Sequence, residues 1–140
     1  MVNQVTSIEQ SKRLIELGVP VEKASMVWFP EYKIGDNKLP IYPDGTYELV
    51  RKYKSFGDME DKVIPAFTVV DLLNIIPEGI TYGRLYITRS YYSRGKDWRV
   101  FYKRIGVSKG AIVSFGDSTL ICPACDMIEW LLANNYTLNI

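Results

Sequence analysis

The chain has no histidine, so its reactive groups are carboxylates, tyrosines, lysines and two thiols. That absence excludes the Ser-His-Asp and Cys-His arrangements and the His-containing zinc sites, and it removes the commonest general base at neutral pH. Asp58, Glu60 and Asp61 form an acidic triplet, but the ligand spacing of an EF-hand loop is missing, so a solvated loop is expected there and no metal. Gly35, Gly45 and Gly57 stand alone and make no phosphate-cradling loop. Asp117, Ser118 and Thr119 precede a helical stretch and read as capping residues rather than a catalytic set. The expectation is a protein that is not an enzyme and needs no cofactor.

Cys122-Pro123-Ala124-Cys125 is a CxxC motif. A thiolate at a helix N-terminus is stabilised by unpaired backbone amides and the helix dipole, and proline suits a first helical position. A thioredoxin-like fold carries this motif after its first strand, however, and only 15 residues follow Cys125 here. Zinc needs four ligands, and no further cysteine or histidine is present. The economical expectation is that Cys122 and Cys125 are small apolar residues at the start of a buried helix. Thiol redox chemistry through the pair ranks third among the functions considered.

A third set of residues is defined by charge. Between Tyr82 and Arg104 lie seven basic residues, Arg84, Arg89, Arg94, Lys96, Arg99, Lys103 and Arg104, against the single acid Asp97. This segment carries +6, the rest of the chain −5, and the whole only +1. The same segment holds seven of the 18 aromatic residues. Strand alternation turns Leu85, Ile87, Trp98, Val100 and Tyr102 toward a core. It turns Tyr82, Arg84, Tyr86, Arg99, Phe101 and Lys103 outward as a basic-aromatic platform. Such a platform can stack unpaired bases and neutralise phosphates. Tyr and Arg are equally the residues of protein–protein hot spots, and good strand residues in their own right. A protein partner or self-association therefore ranks above single-stranded nucleic acid.

The elements that must position these residues follow from caps, turns and periodicity. A helix is predicted over Thr6 to Leu17, with Thr6 and Glu9 as a capping box and Gly18 as its stop. Strand-forming residues fill Ser25 to Ile34, Lys38 to Tyr42 and Thr46 to Tyr53, separated by the turn signals Gly35-Asp36-Asn37 and Pro43-Asp44-Gly45. A second helix, Pro65 to Ile76, is capped by Thr68 with Asp71, ended by Pro77 and Gly79, and apolar enough to be deeply buried. Strands Ile80 to Ser90 and Asp97 to Ile105 are joined through Ser93-Arg94-Gly95-Lys96, and Ala111 to Phe115 completes an antiparallel meander. A helix from about Pro123 to Ala133 closes the chain, with Cys125, Ile128, Leu131 and Leu132 on its buried side. At 140 residues and average composition this is a single domain over 1–140 of the α+β class, an antiparallel sheet of about 4–5 strands with three helices packed against it.

Met1 to Gln10 shows no basic stretch followed by an apolar one, and no apolar run approaches 18 residues, so neither a secretory signal nor a membrane span is expected. With only two cysteines, a reducing cytoplasm is the simplest setting. The chain also resembles uncharacterised small proteins encoded on prophages and mobile elements of gut bacteria. The residues that carry the resemblance are the Thr6-Ser7-Ile8-Glu9-Gln10-Ser11 helix start with Leu14, Leu17 and Gly18, then Ile64-Pro65-Ala66-Phe67-Thr68 with Leu72-Leu73, and the closing Ala124-Cys125-Asp126-Met127-Ile128 with Trp130 and Leu131. That group has no assigned activity or catalytic residues. The resemblance implies a mobile-element context, a cysteine at position 125 within a buried helix face, and a non-catalytic binding or self-association module.

Overall fold

The computed structural model describes residues 5–41, 45–52, 56–90, 97–106 and 110–140. Among the described residues three α-helices and nine strands make an α+β fold, with two antiparallel sheets of three and four strands and a separate two-stranded ribbon. Helix α1 (Ile8–Glu16) leads into strand β1 (Met26–Pro30), the ribbon strands β2 (Lys33–Ile34) and β3 (Pro40–Ile41), and β4 (Tyr47–Arg51). Then come β5 (Ile64–Ala66), α2 (Val69–Ile75), β6 (Gly79–Ile80), β7 (Gly83–Arg89), β8 (Trp98–Arg104), β9 (Ala111–Asp117) and α3 (Ile121–Ala133). The smaller sheet has the order β4-β1-β5, and the larger is the meander β6-β7-β8-β9.

One core joins these layers. Val100 and Tyr102 of β8 are buried with Phe67, Leu72, Ile75 and Ile76 around α2 and with Ala124, Met127, Ile128 and Leu131 of α3. Each of the larger aliphatic side chains and Phe67 contributes about 1.5–3 kcal/mol by leaving water. Both ends of α3 are instructive. At its C-terminus Asn135 takes φ +63°, while Tyr136 N–H bonds to Leu131 O at 2.9 Å and Asn135 N–H to Leu132 O at 3.2 Å, a Schellman closure. At its N-terminus the cap is Leu120, which supplies no side-chain hydrogen bond. Asp117, Ser118 and Thr119 thus do not cap the helix as expected. Asp117 closes on its own neighbour, its Oδ1 accepting from Ser118 N–H at 2.6 Å.

Several boundaries differ from expectation for local physical reasons. The box at the start of α1 is Ser7 with Gln10, one residue later than Thr6 with Glu9, because the Thr6 hydroxyl is engaged in the core. Gly18, at φ +102°, ends that helix as predicted. Thr68 and Asp71 do cap α2, but the helix begins only at Val69. Pro65 lies instead in β5, an edge strand, where a residue without an N–H is tolerated. Val70 is 65% exposed, so α2 is not buried all round. The stretch Ser25 to Ile34 divides into β1 and β2. Tyr42, Pro43 and Asp44, the end at Tyr53, and the connection at 93–96 lie outside the described residues.

A candidate binding surface on the four-stranded sheet

The predicted strand Ile80 to Ser90 is broken by a two-residue turn at Thr81-Tyr82. Ile80 pairs with Gly83, and Tyr82 adopts φ +62° at the corner. Tyr82 therefore stands 78% exposed at the end of the sheet rather than on a strand face. Gly83 makes the corner possible: a Cβ there would lie 2.8 Å from Ile112 Cδ1 and 2.9 Å from Ile80 Cγ1.

Beyond the turn the β7–β8 register pairs Arg84 with Lys103, Tyr86 with Phe101 and Thr88 with Arg99. Leu85, Ile87, Val100 and Tyr102 share the opposite parity; Val100 and Tyr102 are fully buried and Leu85 packs on the core, but Ile87, expected to face it, is exposed because β7 extends past the core at that end. The expected outward residues Arg84, Tyr86, Arg99, Phe101 and Lys103 thus fall together on one face. On β9, Gly116, Ser114 and Ala111 lie opposite Arg99, Phe101 and Lys103. These small side chains leave the platform uncovered along that border. A register shift between Tyr102 and Lys103 marks a bulge there.

The platform is internally ordered. The Tyr86 and Phe101 rings stack with centroids 5.6 Å apart and planes inclined by 16°. The Arg99 guanidinium lies 5.2 Å from the Phe101 centroid and donates to Ser114 Oγ at 2.7 and 3.2 Å. Thr88, which strand alternation also turns outward, pairs with Arg99 on this face, whereas Ser114 on β9 was missed by sequence reasoning because its place opposite Phe101 depends on the β8–β9 register. Among the described residues, Arg84, Arg99 and Lys103 have no carboxylate partner; the only ion pairs found there link Arg13 to Glu16 and to Glu129, far along the chain. Arg94 and Lys96, with Tyr91 and Tyr92, lie outside the described residues.

The CxxC motif occupies the first turn of α3, with Cys122 as its second residue. Cys125 packs against the core, and burial pushes its thiol up to about 12, with Cys122, Asp126 and Glu129 adding to the shift. Cys122 does not join the core as expected: it is half-exposed, and its sulfur accepts from Thr119 Oγ1 at 3.5 Å and from Gln10 Nε2 at 3.6 Å. The Asp117 carboxyl is held below its usual range, chiefly by the Ser118 backbone N–H and next by the Cys122 thiol. Desolvation, with Glu129 and Asp117 nearby, raises the Asp126 carboxyl. Both cysteines open into one cleft of about 320 Å³ between α1 and α3. An apolar cleft of about 580 Å³, lined by Met26, Leu49, Val69, Val70, Trp98 and Leu120, lies between the two sheets and α2. Among the described residues no three metal-ligating side chains cluster, and no helix is long and apolar enough to cross a membrane.

No protein-family model matches the chain, and neither does any curated protein or solved structure.

Proposed function

We propose that the chain is a non-catalytic docking module, of the mobile-element kind its resemblance implies, whose outer β7–β8–β9 face binds an acidic protein surface. The observation that carries this reading is the uncovered face bearing Arg84, Arg99 and Lys103 with no carboxylate partner among the described residues. Such a face steers an anionic partner and fixes its register. Pairing this face with its own copy would set like charges against one another, which costs several kcal/mol. A single-stranded nucleic acid would find the cations but no free stacking plane on Phe101, at the centre of the face, because that ring already meets the Tyr86 ring and the Arg99 guanidinium. Base stacking is worth about 1–3 kcal/mol per base only where a ring face is open to it.

The test is a salt-dependent titration of the full chain with poly-L-glutamate and with oligothymidylate, alongside light scattering over a concentration series. Poly-L-glutamate is expected to bind at low salt, and the Arg84→Ala, Arg99→Ala double variant to lose about tenfold or more, at about 1 kcal/mol per charge-assisted contact. Oligothymidylate binding tighter than poly-L-glutamate and weakened by Phe101→Ala would overturn the reading in favour of nucleic acid. Dimerisation abolished by the double variant would overturn it in favour of self-association, and no binding to either polyanion would end it.

A further inference from the structure

The two cysteines make a second, chemically distinct site. We infer that Cys122 and Cys125 exchange thiol and disulfide with small cationic disulfides, Cys122 attacking first and Cys125 resolving. The inference rests on geometry. Cys122 lies half-exposed in the first turn of α3, where unpaired backbone amides and the helix dipole favour negative charge. Two further donors, Thr119 Oγ1 and Gln10 Nε2, point at its sulfur, and its own thiol hydrogen bonds to the Asp117 carboxylate, which gives the departing proton an acceptor on its way to water. Cys125 opens into the same cleft but packs against the core, the arrangement of an attacking and a resolving thiol.

The step balances as follows. Cys122 releases its proton to water, and its thiolate attacks one sulfur of a disulfide RSSR. The S–S bond breaks, RS⁻ departs and takes a proton from water, and a mixed disulfide remains on Cys122. Cys125 then releases its proton to water and attacks Cys122 Sγ, expelling the second RS⁻, which is protonated in turn. The dithiol is oxidised to a Cys122–Cys125 disulfide and RSSR is reduced to two RSH.

Closing that bond requires the two Cβ atoms to move from the roughly 5–6 Å of helical i,i+3 neighbours toward about 3.8 Å. The start of α3 suits such tightening. Pro123 has no N–H to lose, and Leu120 makes no side-chain cap bond that would hold the first turn in place.

Charge sets the substrate class. The cleft is lined by Glu9, Asp126 and Glu129 against Arg13, and Arg13 is already held by Glu129 at 2.7 Å. An anionic disulfide meets repulsion there, whereas a cationic one is drawn in.

The test treats the full reduced chain with cystamine or with glutathione disulfide and reads intact mass over time. Cystamine is expected to yield a product lighter by two hydrogens, and to react about fivefold or more faster than glutathione disulfide at low ionic strength, the gap closing in salt. Cys125→Ser, or Cys125→Ala should the first pack poorly, is expected to accumulate cysteamine on Cys122. Cys122→Ser is expected to react at least about tenfold more slowly than free cysteine, because the partly buried Cys125 thiol, packed on the core, supplies so little thiolate. A stable mixed disulfide on the unaltered chain, glutathione disulfide reacting as fast as cystamine, or rapid modification of Cys125 in Cys122→Ser would each overturn the inference. None of these outcomes depends on the sheet face.

Discussion

Replacing Tyr102 by Ala is expected to lower unfolding stability by about 3–5 kcal/mol, the range for emptying a large aromatic site in a close-packed core. Tyr102 is fully buried at the centre of β8, between Phe101 and Lys103 of the outer face, and its hydroxyl donates to Pro77 O at 2.5 Å. The ring ties the platform to the α2–β6 connection, so its loss should loosen the register on which Tyr86, Phe101 and Lys103 depend. Tyr102→Phe isolates the hydroxyl: it keeps the packing, leaves the Pro77 carbonyl without that donor, and is expected to cost about 1–3 kcal/mol. The phenol also has a pH signature. Burial raises its ionisation well above the ordinary tyrosine range. The folded state therefore keeps a proton that the unfolded state gives up near pH 10, so the unfolded state binds fewer protons there. Stability from this group is complete below about pH 10 and is lost as the pH rises beyond it. Denaturant unfolding of the unaltered chain should show a falling alkaline limb that is shallower in Tyr102→Phe. Equal alkaline limbs in the two proteins would refute the assignment.

The alternation that placed Tyr102 inward and Arg84, Tyr86, Arg99, Phe101 and Lys103 outward was readable because period-2 strands with one buried face tolerate only one register. The closing helix and the Thr68–Asp71 cap were legible for the same kind of reason, since local spacing alone specifies them. What escaped depended on distant partners. Nothing near Tyr82 in the chain demands its positive φ; the turn exists because β6 folds back on β7. Pro65 reads as a first helical residue until β1 is present to pair with it. Asp117 has the type of a cap but is held by Ser118, and Cys122 has the type of a core residue but faces a cleft formed only when α1 docks on α3. The two overlapping boxes at the first helix, Thr6 with Glu9 and Ser7 with Gln10, are equivalent by composition. A contact 61 residues away decides between them.

That contact sets the second large effect: Thr6→Val, nearly the same shape without the hydroxyl, is expected to cost about 2–4 kcal/mol. Thr6 is fully buried, and its Oγ1 accepts from Phe67 N–H at 3.0 Å while sharing a hydrogen bond with Ser11 Oγ at 2.7 Å. Its backbone N–H donates to Phe67 O at 2.8 Å, and its carbonyl accepts from Trp28 Nε1 at 3.0 Å. Valine would strand the Phe67 N–H and the Ser11 hydroxyl together in a site closed to water, each worth about 1–3 kcal/mol when unsatisfied. Thr6→Ser retains both bonds and loses one methyl group, so about 1 kcal/mol is expected. Ser11→Ala removes only the outer bond and should fall below Thr6→Val. In the Thr6→Val, Ser11→Ala double variant no hydroxyl is stranded at position 11, so its cost should be less than the sum of the two single changes. Additive costs across that cycle, measured by denaturant unfolding, would show the hydroxyl pair to be unimportant. The clamp also reaches the thiols, because Thr6 holds the start of α1, from which Gln10 points at Cys122. If α1 is seated through Thr6, Thr6→Val should expose Cys125 and speed its alkylation while Thr6→Ser leaves it unchanged, so that one buried hydroxyl governs both the fold's closure and the reactivity of the cleft beside it.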